Sequence, residues 1–291
     1  MTDAREMFLR VGDGVQVCAQ ILGERTDPAL LLMGGATWSM DWWEDALCQQ
    51  LAGRNRMVVR YDQRDTGRST SYPPGAPEYT GADLVRDAVA VLDEIGIDRA
   101  HVVGLSMGGG LAQRLAIEHR DRVSTLTLIS TSPIDTEIGG LPGPSAKVQA
   151  SFSSVGPEPD WLDRDAVIDY LVEGERPYAG PGTFDDSRLR VLAGRVFDRT
   201  HDMAASMTNH FLLDSGSSED HRLGHLAGVA TLILHGTADP MFPLAHGKAL
   251  AEHIPDARLI ELDGVGHQLP PPHMWNLVVD ALIEHTAGAD Q

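Results

Sequence analysis

Short apolar runs alternate with amphipathic segments along most of this chain of 291 residues. Apolar runs bounded by polar or glycine-containing turns predict buried strands, and apolar positions three or four residues apart predict helices. The strands are predicted at 29–33, 56–61, 100–105, 123–129, 229–234 and 258–262, and the clearest helices at 41–51, 79–95 and 111–119. This alternation predicts an α/β fold with a mostly parallel central sheet that helices cover on both faces.

The alternation is interrupted once. It stops at Ser132-Pro133, and residues 135–222 contain no clear strand, begin with a Gly/Pro-rich stretch and carry 16 acidic against 8 basic side chains. We therefore expect a hydrolase-like core formed by residues 1–134 and 223–291, with a helical cap inserted at 135–222. Ligands of open α/β sheets bind at the carboxyl ends of the strands, so a cap at this place would cover the site.

Charge and composition exclude several classes of partner. The net charge of −19 repels nucleic acid and anionic lipid, so we expect neither a nucleic-acid nor a membrane partner. There is no apolar run of the roughly 20 residues that a membrane span needs. The polar N-terminus and only two cysteines, Cys18 and Cys48, favour a cytoplasmic protein without disulfides or a zinc site. No pattern indicates an oligomeric state.

The most informative motif is Gly104-Leu105-Ser106-Met107-Gly108. It lies between a predicted strand and a predicted helix, which is the context of the G-x-S-x-G nucleophile elbow. In such a tight turn the serine hydroxyl is held clear of the backbone, and the two glycines leave the space that the bend requires. The motif predicts that Ser106 is a catalytic nucleophile.

A serine hydroxyl needs a base, which is usually a histidine held by a carboxylate. His267 follows the last predicted strand through the flexible linker 263–266, which can bring an imidazole to the carboxyl edge of the sheet. We predict that His267 is the general base. His235 ends a strand and is interpreted as structural.

The carboxylate has two candidates. Asp239 follows the strand at 229–234 directly, and Asp135 follows the strand at 123–129. The chain order serine, acid, histidine that is typical of elbow folds favours Asp239. Asp263, at the end of the last strand, is interpreted as a turn residue.

An oxyanion hole needs two backbone N–H groups that point at the developing negative charge. The first candidate is Met107, directly after the nucleophile. The second is Gly35, in the loop Gly34-Gly35-Ala36-Thr37-Trp38 that follows the strand at 29–33. The chemistry of these groups needs no metal and no organic cofactor.

Taken together, these motifs resemble the α/β-hydrolase superfamily over nearly the whole chain. The elbow, the segment Gly236-Thr237-Ala238-Asp239-Pro240 and the final Gly264-Val265-Gly266-His267 match its three catalytic segments in order. The segment 62–69 resembles the superfamily's Asp-x-Arg-Gly-x-Gly-x-Ser loop, with Asp65 in place of a glycine. Met33-Gly34 stands where His-Gly is usual.

These two departures, with His246-Gly247-Lys248, are similar to the branch that contains the aclacinomycin methylesterases and esterases of macrolide lactones. The resemblance implies that Ser106, Asp239 and His267 carry catalysis and that Gly35 and Met107 form the oxyanion hole. It implies bulky polyketide esters as substrates, either methyl esters or macrolactones, and thus an enzyme that modifies antibiotics. Many such compounds carry basic amino sugars, which would suit an acidic cap.

Other functions share these residues. A cofactor-free perhydrolase or an acyltransferase would use the same triad with a different acceptor, and a non-enzymatic ligand-binding protein of this fold would be expected to have a degraded triad. Apolar side chains near the oxyanion loop and in the cap are candidates for the substrate pocket, although helical spacing also suits ordinary packing. The candidates are Trp38, Met40, Trp161, Tyr170, Met207 and Phe211.

Overall fold

One eight-stranded sheet organises the protein. A computed structural model describes residues 5–153, 158–216 and 220–288. The strands are β1 (Met7–Gly12), β2 (Val15–Leu22), β3 (Ala29–Met33), β4 (Met57–Tyr61), β5 (Ala100–Leu105), β6 (Val123–Ile129), β7 (Thr231–Gly236) and β8 (Arg258–Leu262). Their order in the sheet is β1-β2-β4-β3-β5-β6-β7-β8.

The sheet is parallel from β4 to β8 and antiparallel at its β1–β2 edge. All residues of β3, β4 and β5 are buried, as expected for strands with helices on both faces. The predicted parallel α/β fold is therefore confirmed. The hairpin of β1 and β2 precedes the first predicted strand, and its polar alternation gave a weaker signal than the apolar central strands.

The helices pack in two layers. They are α1 (Asp45–Ala52), α2 (Gly81–Ile95), α3 (Met107–Glu118), α4 (Ala146–Ser153), α5 (Arg164–Glu175), α6 (Asp186–Arg199), α7 (Met203–Thr208), α8 (Ala245–His253) and α9 (Trp275–Ala287). One buried apolar cluster joins the sheet to α2 and α3, and a second joins it to α1, α5, α6 and α9.

Several predicted boundaries were wrong for local reasons. The predicted helix 79–95 begins at Gly81, because Thr80 and Asp83 form a reciprocal capping box. The predicted helix 41–51 is a 3₁₀ turn, Met40–Trp42, followed by α1. The helix predicted at 111–119 begins earlier, at Met107, directly after the elbow serine.

The chain between β6 and β7 contributes α4 to α7, and its described residues include no strand. Ion pairs hold helix α6 against the rest of the fold. Arginines spaced along α6 pair with carboxylates at the start of α1 and just after β4. These pairs are Arg188 with Glu44, Arg195 with Asp45 and Arg199 with Asp62. Among the described residues there is no helix long and apolar enough to cross a membrane.

Asp65 stands where the superfamily loop that segment 62–69 resembles has a glycine, and its backbone conformation is one that glycine adopts easily. Its φ of 66° lies in the left-handed region. Its carboxylate compensates by accepting hydrogen bonds from the Tyr72 backbone N–H at 2.6 Å, the Tyr79 hydroxyl at 2.6 Å and the Asn209 amide at 2.9 Å. The side chain thus joins three segments of the chain.

We expect Asp65→Gly to destabilise the protein even though it restores the family residue. Relief of the backbone conformation is worth roughly 1 to 2 kcal/mol, whereas each lost hydrogen bond to a charged group is worth about 1.5 to 3 kcal/mol. Urea unfolding should show a net loss of at least about 2 kcal/mol. The control is Asn55→Gly, at an exposed residue whose φ is 57°, where the same backbone relief should raise stability by roughly 1 to 2 kcal/mol. Equal effects of the two substitutions would contradict this account.

Candidate active site

The elbow holds Ser106 in a strained backbone conformation between β5 and α3. The φ and ψ angles of Ser106 are 54° and −118°, a combination that costs on the order of 1 to 3 kcal/mol. A Cβ on Gly104 would lie 2.2 Å from the carbonyl oxygen of Gly108, and one on Gly108 would lie 2.3 Å from that of Met33. Both positions therefore need glycine, because the turn presses backbone against backbone.

His267 lies between the other two predicted residues. Its Nε2 is 2.9 Å from Oγ of Ser106, and its Nδ1 is 3.0 Å from Oδ2 of Asp239. These residues come from three separate loops, at the carboxyl ends of β5, β7 and β8. The described geometry brings together the serine, histidine and aspartate that the sequence analysis selected.

Asp239 is fixed by its own turn. Its side chain is fully buried, and its Oδ1 accepts hydrogen bonds from the backbone N–H groups of Met241 and Phe242 at 2.9 and 2.8 Å. One carboxylate oxygen is thus occupied by backbone donors, and the other is left for the N–H of His267. This division orients the imidazole and leaves Nε2 free to accept a proton.

The alternative residues lie elsewhere or serve other contacts. Asp135 accepts hydrogen bonds from the backbone N–H groups of Glu137 and Leu223 at 2.9 and 3.1 Å, and therefore caps a loop. Asp263 accepts one from the hydroxyl of Thr237 at 3.3 Å.

His235 is buried beside the triad. Its Nε2 donates to the carbonyl oxygen of Phe242 at 2.7 Å, and burial lowers its pKa. Its ring therefore stays neutral and supports the turn that carries Asp239.

The chain between β6 and β7 contacts the loop that carries His267, and no sequence pattern predicts this contact. The backbone N–H of His267 donates to the carbonyl oxygen of Tyr178 at 2.8 Å. The Tyr178 ring lies 6.0 Å from the imidazole, and Phe242 contacts it edge-on at 5.3 Å. A Cβ on Gly266 would lie 2.2 Å from the same carbonyl oxygen, so this contact requires glycine before the histidine.

Gly35 lies beside the nucleophile. A Cβ built on Gly35 would be 3.6 Å from Cβ of Ser106. Within residues 5–153, 158–216 and 220–288, the backbone N–H groups of Gly35 and Met107 have no hydrogen-bond acceptor. Two donors without acceptors beside a serine hydroxyl are the arrangement that an oxyanion hole requires.

The candidate pocket residues differ in their surroundings. Trp38 and Met40 are 7% and 1% exposed, and Trp38 stacks on Trp42 with ring centroids 5.0 Å apart. Trp161 and Tyr170 pack edge to face.

Two further candidates lie towards the end of the inserted segment. Met207 packs against the apolar cluster that contains Trp38. Phe211 is 69% exposed, which is the environment of a surface residue rather than of a pocket wall.

Across the described chain no group of His, Cys, Asp and Glu side chains could hold a metal ion.

Comparison with known proteins decides the family. A family model described as the alpha/beta hydrolase fold matches residues 28–167. The chain is also 30% identical to rhodomycin D methylesterase DauP of Streptomyces sp. strain C5, over 95% of this chain and 97% of that one. The chain belongs to the α/β-hydrolase family. Rhodomycin D methylesterase DnrP of Streptomyces peucetius is equally similar, at 30% identity over the same shares.

Solved α/β hydrolases share the fold at lower identity. Esterase RhEst1 from Rhodococcus sp. ECU1013 superposes with a TM-score of 0.75 at 20% identity, covering 98% of this chain and 99% of that one. The enol-lactonase from Burkholderia xenovorans LB400 gives 0.70 at 23% identity, covering 96% and 99%. With esterases and hydrolases as its named relatives and a hydrolase fold, this α/β hydrolase is an ester hydrolase.

Proposed function

We propose that this ester hydrolase uses Ser106 as its nucleophile and works through an acyl-enzyme. The observation that carries the proposal is the continuous hydrogen-bonded chain from Ser106 through His267 to Asp239. A serine whose hydroxyl meets an imidazole held by a buried carboxylate is activated as a nucleophile. The N–H groups of Gly35 and Met107 stabilise the oxyanion.

The proposed reaction has two balanced halves. Ser106 Oγ attacks the ester carbonyl carbon while His267 Nε2 takes the hydroxyl proton; the bond to the alcohol then breaks, and His267 returns the proton to the departing alcohol. Water next gives a proton to His267 Nε2 and attacks the acyl carbon. The bond between that carbon and Ser106 Oγ then breaks, and His267 returns the proton to Oγ, which releases the acid and restores Ser106.

For the substrate we propose a bulky polyketide-type ester, with a methyl ester favoured over a macrolactone. The support is the similarity to two rhodomycin D methylesterases over nearly the full length of both chains. A macrolactone remains the second candidate because lactone opening uses the same acyl chemistry. The reaction would then modify an antibiotic-type molecule, and the free cysteines Cys18 and Cys48 are compatible with a cytoplasmic enzyme.

Glu175 supports a substrate with a basic group. It is the last residue of α5, one turn after the buried Leu171 and Val172, and is itself half-buried. Within the described residues its carboxyl has neither a hydrogen bond nor an ion pair. Desolvation raises the pKa of Glu175 to about 7. Burial, followed by the nearby Glu175 carboxylate, raises the pKa of Tyr178, which contacts His267. A protonated amine would satisfy this carboxylate.

The test of substrate class is mass spectrometry of ester panels after incubation with the enzyme. The panel pairs anthracycline methyl esters with and without an amino sugar, and adds macrolides and simple alkyl esters. We expect net loss of one CH2 unit from the methyl esters, fastest for the amine-bearing member of each pair. Gain of one water by a macrolide alone would favour the lactone alternative. Hydrolysis of simple esters only would contradict the proposed substrate class.

A cofactor-free perhydrolase or an acyltransferase differs only in the acceptor that replaces water. The same panel, run with added hydrogen peroxide or an alcohol, distinguishes these reactions by the mass of the acyl product. The intact hydrogen-bonded triad disfavours a non-enzymatic ligand-binding protein, because binding alone needs no activated serine.

A further inference from the structure

Gln63 contacts the loop that carries the proposed oxyanion donor. It follows β4 by two residues and is 1% exposed. Its side-chain Nε2 donates a hydrogen bond of 2.9 Å to the carbonyl oxygen of Gly34. Among the described residues its Oε1 is buried without a partner, so the polar side chain is retained inside the protein for this one hydrogen bond.

That carbonyl belongs to the peptide unit whose N–H is the proposed donor. The Gly34 C=O and the Gly35 N–H are parts of one planar trans peptide and therefore point in opposite directions. A donor that fixes the carbonyl on one side fixes the direction of the N–H on the other. With two glycines in sequence, the backbone itself does little to prevent this peptide from rotating.

A second contact holds the far end of the same loop. His210, from the segment after α7, accepts a hydrogen bond at Nδ1 from the Thr37 N–H at 3.0 Å, and its Nε2 donates to the Arg64 carbonyl oxygen at 2.9 Å. Burial lowers the pKa of His210, which keeps the ring neutral with one donor and one acceptor. Arg64 in turn forms two hydrogen bonds of 2.7 Å to the buried carboxylate of Asp87.

We propose that Gln63 is a positioning residue for catalysis, which aims the Gly35 N–H at the oxyanion by holding the Gly34 carbonyl, with His210 as the second support of the loop. The inference rests on the proposed function. Gln63, the residue after Asp62 in the family loop, thus contributes to transition-state stabilisation and not to packing alone.

The test compares Gln63→Met with Gln113→Met. Methionine keeps the length and volume of glutamine and removes the donor. Gln113 is likewise buried, and its hydrogen bonds within the described residues go to Gly109, Ser132 and Ile134 rather than to residues 34–38. Each variant is assayed for kcat, KM and the inhibition constant of a trifluoromethyl ketone, whose adduct with serine carries an oxyanion. Active-site titration with a fluorophosphonate restricts every rate to folded enzyme.

For Gln63→Met we expect kcat to fall on the order of tenfold to a hundredfold, with KM nearly unchanged and the ketone bound more weakly by the same factor as kcat/KM. The pH profile should keep its shape, because His267 is untouched. In Gln113→Met the ratio of the ketone inhibition constant to KM should equal the ratio measured for the unmodified enzyme. His210→Phe should show the same pattern as Gln63→Met, and it replaces that variant if Gln63→Met does not fold.

Equal ketone affinity in Gln63→Met and the unmodified enzyme would overturn the positioning role. An equal loss of ketone affinity in Gln113→Met and Gln63→Met would overturn it as well. If the proposed serine mechanism itself were wrong, the result would be distinguishable, because the unmodified enzyme would then not be labelled by the fluorophosphonate at Ser106.

Discussion

Ser106→Ala is expected to lower kcat by about 10⁵- to 10⁶-fold for the best ester substrate. Without the hydroxyl there is no covalent intermediate, and a water molecule would have to attack the ester directly. The oxyanion hole and substrate binding would remain, so residual acceleration over uncatalysed hydrolysis of roughly 10³- to 10⁴-fold should persist. KM should change little, because the hydroxyl acts on the transition state more than on the bound ester.

The measurement is steady-state kinetics at high enzyme concentration, with Ser132→Ala as the control. Ser132 also lies at the carboxyl end of a strand, but its hydroxyl contacts His246 rather than His267. That variant should keep kcat within a few-fold of the unmodified enzyme. If Ser106→Ala kept more than a small percentage of the activity, the proposed nucleophile would be wrong.

The second large effect is expected for Asp239→Asn, with kcat falling on the order of 10⁴-fold near neutral pH. The backbone N–H groups of Met241 and Phe242 occupy one side-chain oxygen, so the asparagine oxygen will turn towards them. Its NH2 group then faces Nδ1 of His267, which must become the acceptor. The ring proton moves to Nε2, and the histidine can no longer accept the proton of Ser106.

Asp135→Asn is the matched control, since Asp135 was the other candidate acid in the sequence. Its carboxylate accepts hydrogen bonds from the backbone N–H groups of Glu137 and Leu223, and the amide oxygen of asparagine can replace one of these contacts. We expect a modest loss of stability and a kcat close to that of the unmodified enzyme. If kcat instead fell strongly in Asp135→Asn and little in Asp239→Asn, Asp135 would be the acid of the triad.

Much of the fold could be predicted because it depends on local patterns. Strands β3, β6 and β8 have the predicted bounds, since each is a short run of residues ended by polar or glycine-containing turns. The helix after the elbow was predicted to start late because Gly108, Gly109 and Gly110 are poor helix formers in isolation. In the structure Gly108 and Gly109 are needed there, since a Cβ on either would meet backbone or Thr131 within 2.7 Å.

Residues that act through distant contacts could not be predicted. Gln63 is an unremarkable polar residue until Gly34, 29 positions away, is placed beside it. His210 and Tyr178 hold the oxyanion and histidine loops from within the inserted segment, where strand and motif signals are absent. A chain position shows which chemistry a side chain can offer, and the tertiary fold decides which group it meets.

The acyl-enzyme mechanism proposed for this enzyme requires Ser106 to carry the acyl group during turnover. The direct test is mass spectrometry of the intact enzyme mixed rapidly with an ester and quenched in acid, followed by peptide mapping. We expect one acyl group per enzyme on the peptide that contains Ser106, and none in Ser106→Ala. Turnover of the ester with no acyl group on the enzyme, or with an acyl group on another residue, would contradict it.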